Sequence, residues 1–322
     1  MKKLAVIFSL CAMTGCVLLA GCSKSKNAAT STSVAAGNPV EMKIKWTIGK
    51  KHSLRMEMDQ STKTDVPNLP QPVMQEVKLA QDFDISALKE LDHGGWQLEL
   101  EFEDVTLEVL HDGHSVLSFD STQSPAGETN NPVATILRAI IGARIQYFTD
   151  AAGKVERIEG VEDLMNRVAA TGTPLQQQAM FKQMFSEDTL RQYGSFGEAM
   201  PDHAVTIGDS WPLKKDVISP IGTLALDMKY TFKNWEQHDD RRCAYVEAAG
   251  NLSTKSISTS LGMVVEIKSG KISGGFWFDP ALGLIVDMDN DQDMKLKITT
   301  RTQTMTAQFS QTIRTSLVDV TP

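Results

Sequence analysis

Trp96-Gln97-Leu98-Glu99-Leu100-Glu101-Phe102-Glu103-Asp104-Val105-Thr106-Leu107-Glu108-Val109 is the stretch that decides the fold. Trp96, Leu98, Leu100 and Phe102 alternate with polar residues, the period-two pattern of a strand buried on one face. At Glu103-Asp104 the parity slips, and Val105, Leu107 and Val109 resume it. One inserted residue that flips the face is what a β-bulge does. A one-sided strand of this kind belongs to an antiparallel sheet with one face packed and one face wet.

The same alternation recurs outward in both directions. Upstream, Met42, Ile44, Trp46 and Ile48 alternate with Glu41, Lys43, Lys45 and Thr47, which predicts a strand. Leu54, Met56 and Met58 keep its parity beyond a bend at Gly49-Lys50-Lys51. After a loop broken by Pro67, Pro70 and Pro72, Val73, Val77, Leu79, Phe83 and Ile85 share one face. Gly94-Gly95 opens the third run, and His111-Asp112-Gly113-His114 turns it into Ser115–Phe119.

Past a polar loop the period changes. Asn131 and Pro132 suit the N-cap and first position of a helix carrying Val133, Ile136, Leu137, Ile140 and Ile141. A short hairpin, Arg144–Thr149 and Lys154–Glu159, surrounds Asp150-Ala151-Ala152-Gly153. Three helical stretches follow: Val161–Ala170, Pro174–Phe185 capped by Thr173, and Glu187–Phe196 capped by Ser186. Strands resume from about Pro220 to Asp319, opening with Leu224, Leu226, Met228, Tyr230 and Phe232 in clean alternation. This gives seven strands before the helices, the short hairpin included, and six after them. The class is α+β, predominantly antiparallel β, as two curved meander halves with a helical segment between.

The halves echo each other weakly. Ile145–Val155 and Gly275–Ile285 both read as an aromatic strand, an Asp turn, a Gly and a returning aliphatic strand. Two similar hairpins arise readily because Asp and Gly make turns; a duplicated β unit of about 100 residues is the alternative. The expected organisation is 1–21, 22–39, 40–160 as the first β unit, 161–200 as the helical segment and 201–322 as the second β unit.

The chain has 322 residues, with 32 Lys plus Arg against 40 Asp plus Glu. A net charge of −8 argues against nucleic acid as a partner, because phosphate binding needs a basic face. Four Cys in this length make no disulfide framework, and fifteen Met read chiefly as core filler.

The N-terminus is an address. Lys2 and Lys3 precede an uncharged, apolar run from Leu4 to Ala20, which reads as an export signal. Leu19-Ala20-Gly21-Cys22 resembles the lipobox of bacterial lipoprotein precursors. The resemblance implies cleavage between Gly21 and Cys22 by signal peptidase II and a diacylglyceryl group on Cys22. Ser23, where inner-membrane lipoproteins of enterobacteria carry Asp, leans towards the outer membrane. Residues 23–39 are linker in composition, with a coil reach of roughly 20–25 Å.

Four groups invite chemistry. Gly208-Asp209-Ser210-Trp211-Pro212 invites comparison with the Gly-Asp-Ser-Leu esterases. It lies late in an α+β chain, has Trp for Leu, and is followed by no Asp-x-x-His segment. It also resembles a Gly-Asp-x-Trp-Pro turn of uncharacterised β-rich bacterial lipoproteins, which implies kinship and no activity. Asp287, Asp289, Asp291 and Asp293 stand at i, i+2 spacing, so on a strand they project from one face about 6.5–7 Å apart. They are a candidate cation site, although the run fails as an EF-hand because Gln292 and Ile298 occupy the Gly and Glu positions. His111 and His114 are spaced like metal ligands without further partners. Cys243 is the lone thiol of the mature chain and reads as a small buried residue.

These readings converge on a lipid-anchored, non-catalytic binding or scaffold module of the bacterial envelope. No cofactor or metal is required. The membrane, through the lipid, and an apolar ligand or an envelope protein are the expected partners. In broad outline the pattern resembles the half-barrels of lipoprotein carriers, which implies acyl chains held under a helix such as Pro174–Phe185. The competing reading is an envelope hydrolase using Ser210 and His203, or a Ca²⁺-dependent adhesion protein.

Overall fold

A bulge at Glu103-Asp104 organises the first half of the molecule. The computed structural model describes residues 38–124, 131–195, 197–219, 221–258 and 263–322. The expected signal segment, Gly21, Cys22 and the expected tether as far as residue 37 lie outside them, as do Phe196 and the side chains of Met180, Met184 and Tyr193. In chain order the elements are β1 (Lys51–Asp65), β2 (Val73–Glu90), β3 (Trp96–His111), β4 (His114–Asp120), α1 (Pro132–Ile140), β5 (Arg144–Thr149) and β6 (Val155–Glu159). Then come α2 (Val161–Ala170), α3 (Leu175–Met184), α4 (Glu187–Tyr193), β7 (Ser210–Ser219), β8 (Gly222–His238), β9 (Arg241–Thr254), β10 (Val264–Asp279), β11 (Leu284–Thr299) and β12 (Thr304–Thr321). Among the described residues strands far outweigh the four short helices, which is the antiparallel β-rich α+β class.

All twelve strands join one antiparallel sheet, ordered β6-β5-β3-β2-β1-β12-β11-β10-β9-β8-β7, with β4 also on β3. Against β2, Val105 opposes Gln81 and Phe102 opposes Phe83, so Glu103-Asp104 face the single Asp82. The bulge also divides the far edge of β3: residues 97–101 pair with β5 and residues 106–111 with β4. Helix α1 bridges the two partners. Asn131 Oδ1 accepts from the Val133 and Ala134 amides at 3.0 and 3.4 Å, capping the helix as the sequence predicts. The two β halves meet where β1 runs beside β12, paired from Lys51 with Thr321 to Asp65 with Thr306.

Packing follows the parity of the strands. One apolar cluster fills the β7–β12 half and takes in Met42, Val205, Tyr230, Phe232, Phe276 and Phe278. A second lies between β1–β5 and the helices, with Ile140, Ile145, Tyr147, Leu164, Val168 and Phe181 buried. Truncating any of the large aromatic members would cost about 3–5 kcal/mol. Phe181 stacks on Phe185 at 4.3 Å between ring centroids, so the helical cover is itself packed.

A polar seam separates the clusters on this enclosed face. Gln60, Gln311 and Gln292 stand side by side on β1, β12 and β11, each at most 4% exposed. Gln311 Nε2 donates to Gln60 Oε1 at 3.4 Å and approaches Met58 Sδ at 2.9 Å. Buried amides with few alternatives fix register, because a slip of one residue would strand them among aliphatic side chains.

Three expectations change. Residues 41–48 keep their alternation, with Met42 buried, but they run as an extended arm outside the sheet. The arm is held by the Val40–Val205 bridge and by the Lys45 amide donating to Gly283 O at 2.8 Å. Strand β7 is the second change. It begins at Ser210, where a turn was expected, and Pro212 is tolerated because β7 is an edge strand. The third is α3, which starts from Pro174 with no side-chain cap; Thr173 supplies a carbonyl to Gln178 Nε2 at 2.7 Å instead. Each half holds six strands: the first loses the arm, and the second gains β7 while residues 264–279, expected as two strands, run as the single β10. The two echoing hairpins share their turn chemistry: Asp150 Oδ1 accepts from Ala152 and Lys154, and Asp279 Oδ1 from Ala281 and Leu282.

A carboxylate-lined trough as the candidate functional site

The face of the sheet opposite the two clusters carries the charge. Asp287, Asp289, Asp291 and Asp293 project together from β11, as their spacing predicts, while Met288, Asn290, Gln292 and Met294 point to the enclosed face. The carboxylates do not form one cage. Cross-strand hydroxyls of β12 hold three of them singly: Ser316 Oγ donates to Asp287 at 2.6 Å, Thr312 Oγ1 to Asp291 at 2.6 Å and Ser310 Oγ to Asp293 at 2.5 Å. Asp289 is buried and opposes Arg314 in register.

This face is hollowed into a trough of about 660 Å³ crossing β2, β1, β12, β11, β10 and β9. Asp59, Glu76, Glu247, Asp291 and Asp293 line it, with Ser273, Ser310, Thr312 and Tyr245 between them and Lys78 as the one lining cation among the described residues. Lys233 pairs with Glu247 at 3.1 Å from outside the lining. Five carboxylates against one ammonium leave the trough strongly negative, and its concave walls focus that field.

At the β8–β9 end the trough meets an aromatic stack. The Tyr245 ring lies 4.9 Å from that of Trp277, and the His238 ring stacks on Trp277 at 4.5 Å and 15°. Trp277 Nε1 donates to Glu236 Oε2 at 2.7 Å, and His238 Nε2 lies 2.8 Å from Asp287 Oδ2. The buried Cys243 thiol is pushed up to about 11, first by burial and then by Asp279. It is protonated and inert at neutral pH.

The other candidates stand apart. Ser210 Oγ shares a hydrogen bond with Thr231 Oγ1 at 2.9 Å on the exposed edge, while His203 Nδ1 lies 2.6 Å from Asp202 and is 63% exposed. Asp209 accepts from the amide and hydroxyl of Thr206 at 2.7 and 2.9 Å, which closes the turn and draws its pKa down. Its role is local. Trp211 docks the segment onto the core, buried against Tyr230 at 5.9 Å with Nε1 donating to Ala199 O at 2.9 Å. His111 and His114 flank a hairpin tip in which Asp112 and Gly113 both have positive φ, and His111 Nε2 lies 3.5 Å from Asp112.

A second carboxylate pair sits at the bulge. Asp84, 5% exposed, accepts from Ser53 Oγ at 2.6 Å and pairs with Lys51 at 2.5 Å. Glu103 faces it: burial, and then the hydrogen bond and charge of Asp84, push its pKa up. Burial works against the charged form of Asp84 too, but Lys51 and Ser53 prevail and its pKa falls.

The sequence announced the Asp row but neither the trough nor the His238 stack. The trough needs six strands, and the stacked His238 reaches Asp287, 49 positions along the chain.

No curated protein matches the chain in sequence. A solved structure described as lipid-protein interactions in lipovitellin matches with a TM-score of 0.47 and 7% identity, over 86% of this chain and 26% of that one. The chain thus spans about a quarter of that structure's length, and a likeness so distant says nothing of what this chain binds. Residues 94–285, from the glycine pair before β3 to the start of β11, match the family of unknown function DUF6263, and the chain belongs to that family.

Proposed function

We propose that the protein is a non-catalytic binding module of the bacterial cell envelope. It is held at the outer membrane through lipid on Cys22, and the trough is its binding surface. The observation that supports this reading is the lining of that trough, five carboxylates and one lysine in a concavity the size of a small-ligand site. Its chemistry suits a ligand that is positively charged and rich in hydrogen-bond donors, such as a basic peptide segment or a polyamine. The absence of contact between Ser210 and His203, and the protonated Cys243, favour binding over hydrolysis.

The test is a titration of the mature protein, in detergent, with a fluorescent oligolysine, a neutral oligosaccharide and phospholipid vesicles. Saturable, salt-sensitive binding of oligolysine alone supports the reading. Preference for vesicles in a Cys22→Ser chain, which lacks the anchor, would replace it with a lipid-binding one. Acyl labelling that survives Cys22→Ser would remove the anchor from the account.

A further inference from the structure

We propose that His238, Asp239 and Asp287 form a divalent-metal site at the β8–β9 end of the sheet. Their candidate ligand atoms all lie within 4.8 Å of one another. His238 Nε2 is 2.8 Å from Asp287 Oδ2 and 3.8 Å from Asp239 Oδ2. Ligand atoms around a tetrahedral ion at the usual 2.0–2.2 Å stand roughly 3.3–3.5 Å apart. Entry of an ion therefore needs shifts of well under ~1 Å between His238 and Asp287, with a swing of Asp239 to close the set. Asp239 is free to make that swing, because it is 87% exposed at the tip of the β8–β9 hairpin.

The surroundings give the two sheet-borne ligands the fixed orientation that metal sites need. Asp287 Oδ1 accepts from Ser316 Oγ at 2.6 Å, which leaves Oδ2 turned to the imidazole. The His238 ring is clamped flat against Trp277, itself anchored through Nε1 to Glu236. Hydrogen-bonded carboxylates and an immobilised imidazole are typical of the shell behind metal ligands. The local field points the same way. Burial first, and then Asp279, Asp239 and Asp287, push the neighbouring Cys243 thiol upwards, with Arg241 acting against them. One imidazole and two carboxylates suit Zn²⁺ or Mn²⁺ better than Ca²⁺, which prefers six to eight oxygens. The coordination sphere would stay open to water on the solvent side, as at catalytic and ligand-exchanging sites. The site is independent of the trough reading: either can fail while the other holds.

The test is isothermal titration of the full mature protein with Zn²⁺, Mn²⁺ and Ca²⁺ separately, with Co²⁺ as a spectroscopic probe. One equivalent of Zn²⁺ or Mn²⁺ should bind more tightly than Ca²⁺. His238→Gln and Asp287→Asn should each weaken it at least tenfold, and Ser316→Ala should weaken it less. His111→Ala should change nothing. Quenching of tryptophan fluorescence by Co²⁺ should disappear with His238→Gln. If a sheet variant fails to fold, Asp239→Asn at the exposed tip decides, with the same expected loss. Absence of binding at millimolar ion, or binding that survives His238→Gln and Asp239→Asn, overturns the site.

Discussion

Removing the Trp211 side chain should be costly even though it lies on an edge strand. The indole is 7% exposed, stacks on Tyr230, and donates to Ala199 O, so it ties the segment after the helices to β7 and β8. A tryptophan buries roughly 150–250 Å², and about 25 cal/mol per Å² gives about 4–6 kcal/mol as a ceiling. The edge strand relaxes into part of the space, so Trp211→Ala should lose about 3–4 kcal/mol. Trp211→Phe keeps an aromatic ring against Tyr230 and strips the donor from Ala199 O, which should cost about 1–2 kcal/mol. Urea denaturation followed by circular dichroism reads both as shifts in midpoint at constant slope. A Trp211→Ala loss below about 1 kcal/mol, or a Phe variant as damaged as the Ala variant, would refute this account of the Gly208–Pro212 block.

Other outcomes follow from single contacts. Asn131→Ala removes the α1 cap and should lower stability by about 1 kcal/mol in the same assay, whereas Asn131→Asp should be nearly neutral. Glu103 has a raised pKa, so its stabilising effect is full below its unfolded pKa and fades as pH rises through its folded one. Asp84 is lowered and behaves oppositely, losing its effect as pH falls through its folded pKa. Glu103→Gln should therefore raise the melting temperature at pH 7 and leave it unchanged near pH 3, as differential scanning calorimetry would show. Cys243 should resist iodoacetamide at pH 8 in the native protein and react fully in 6 M guanidinium; fast native labelling would place the thiol elsewhere than in the β9 core.

The legible part of the fold was the part governed by period and by local side-chain chemistry. The parity slip at Glu103-Asp104 predicted the bulge because a bulge is a local count of residues, and Asn131-Pro132 predicted a cap because capping spans three residues. The arm at 41–48 misled because alternation reports a buried face and says nothing of hydrogen-bond partners; Met42 is buried without joining the sheet. β7 was hidden by Pro212, whose missing N–H is harmless on an edge, and edges are set by topology. At the site, the Asp row was visible as spacing. Its division into carboxylates held by Ser310, Thr312 and Ser316 depends on the β11–β12 register, and the grouping of His238 with Asp287 depends on two hairpins folding side by side. Neither leaves a mark in one segment of sequence.

The central claim is that the trough binds through its negative charge. The most direct measurement is the affinity of the mature protein for oligolysine beside that of a variant carrying Glu247→Gln, Asp291→Asn and Asp293→Asn. These side chains line the open face and touch neither apolar cluster. The account predicts an unchanged circular dichroism spectrum, a loss of affinity of tenfold or more, and a weaker dependence on salt. Equal affinity of the two proteins at every ionic strength would contradict it.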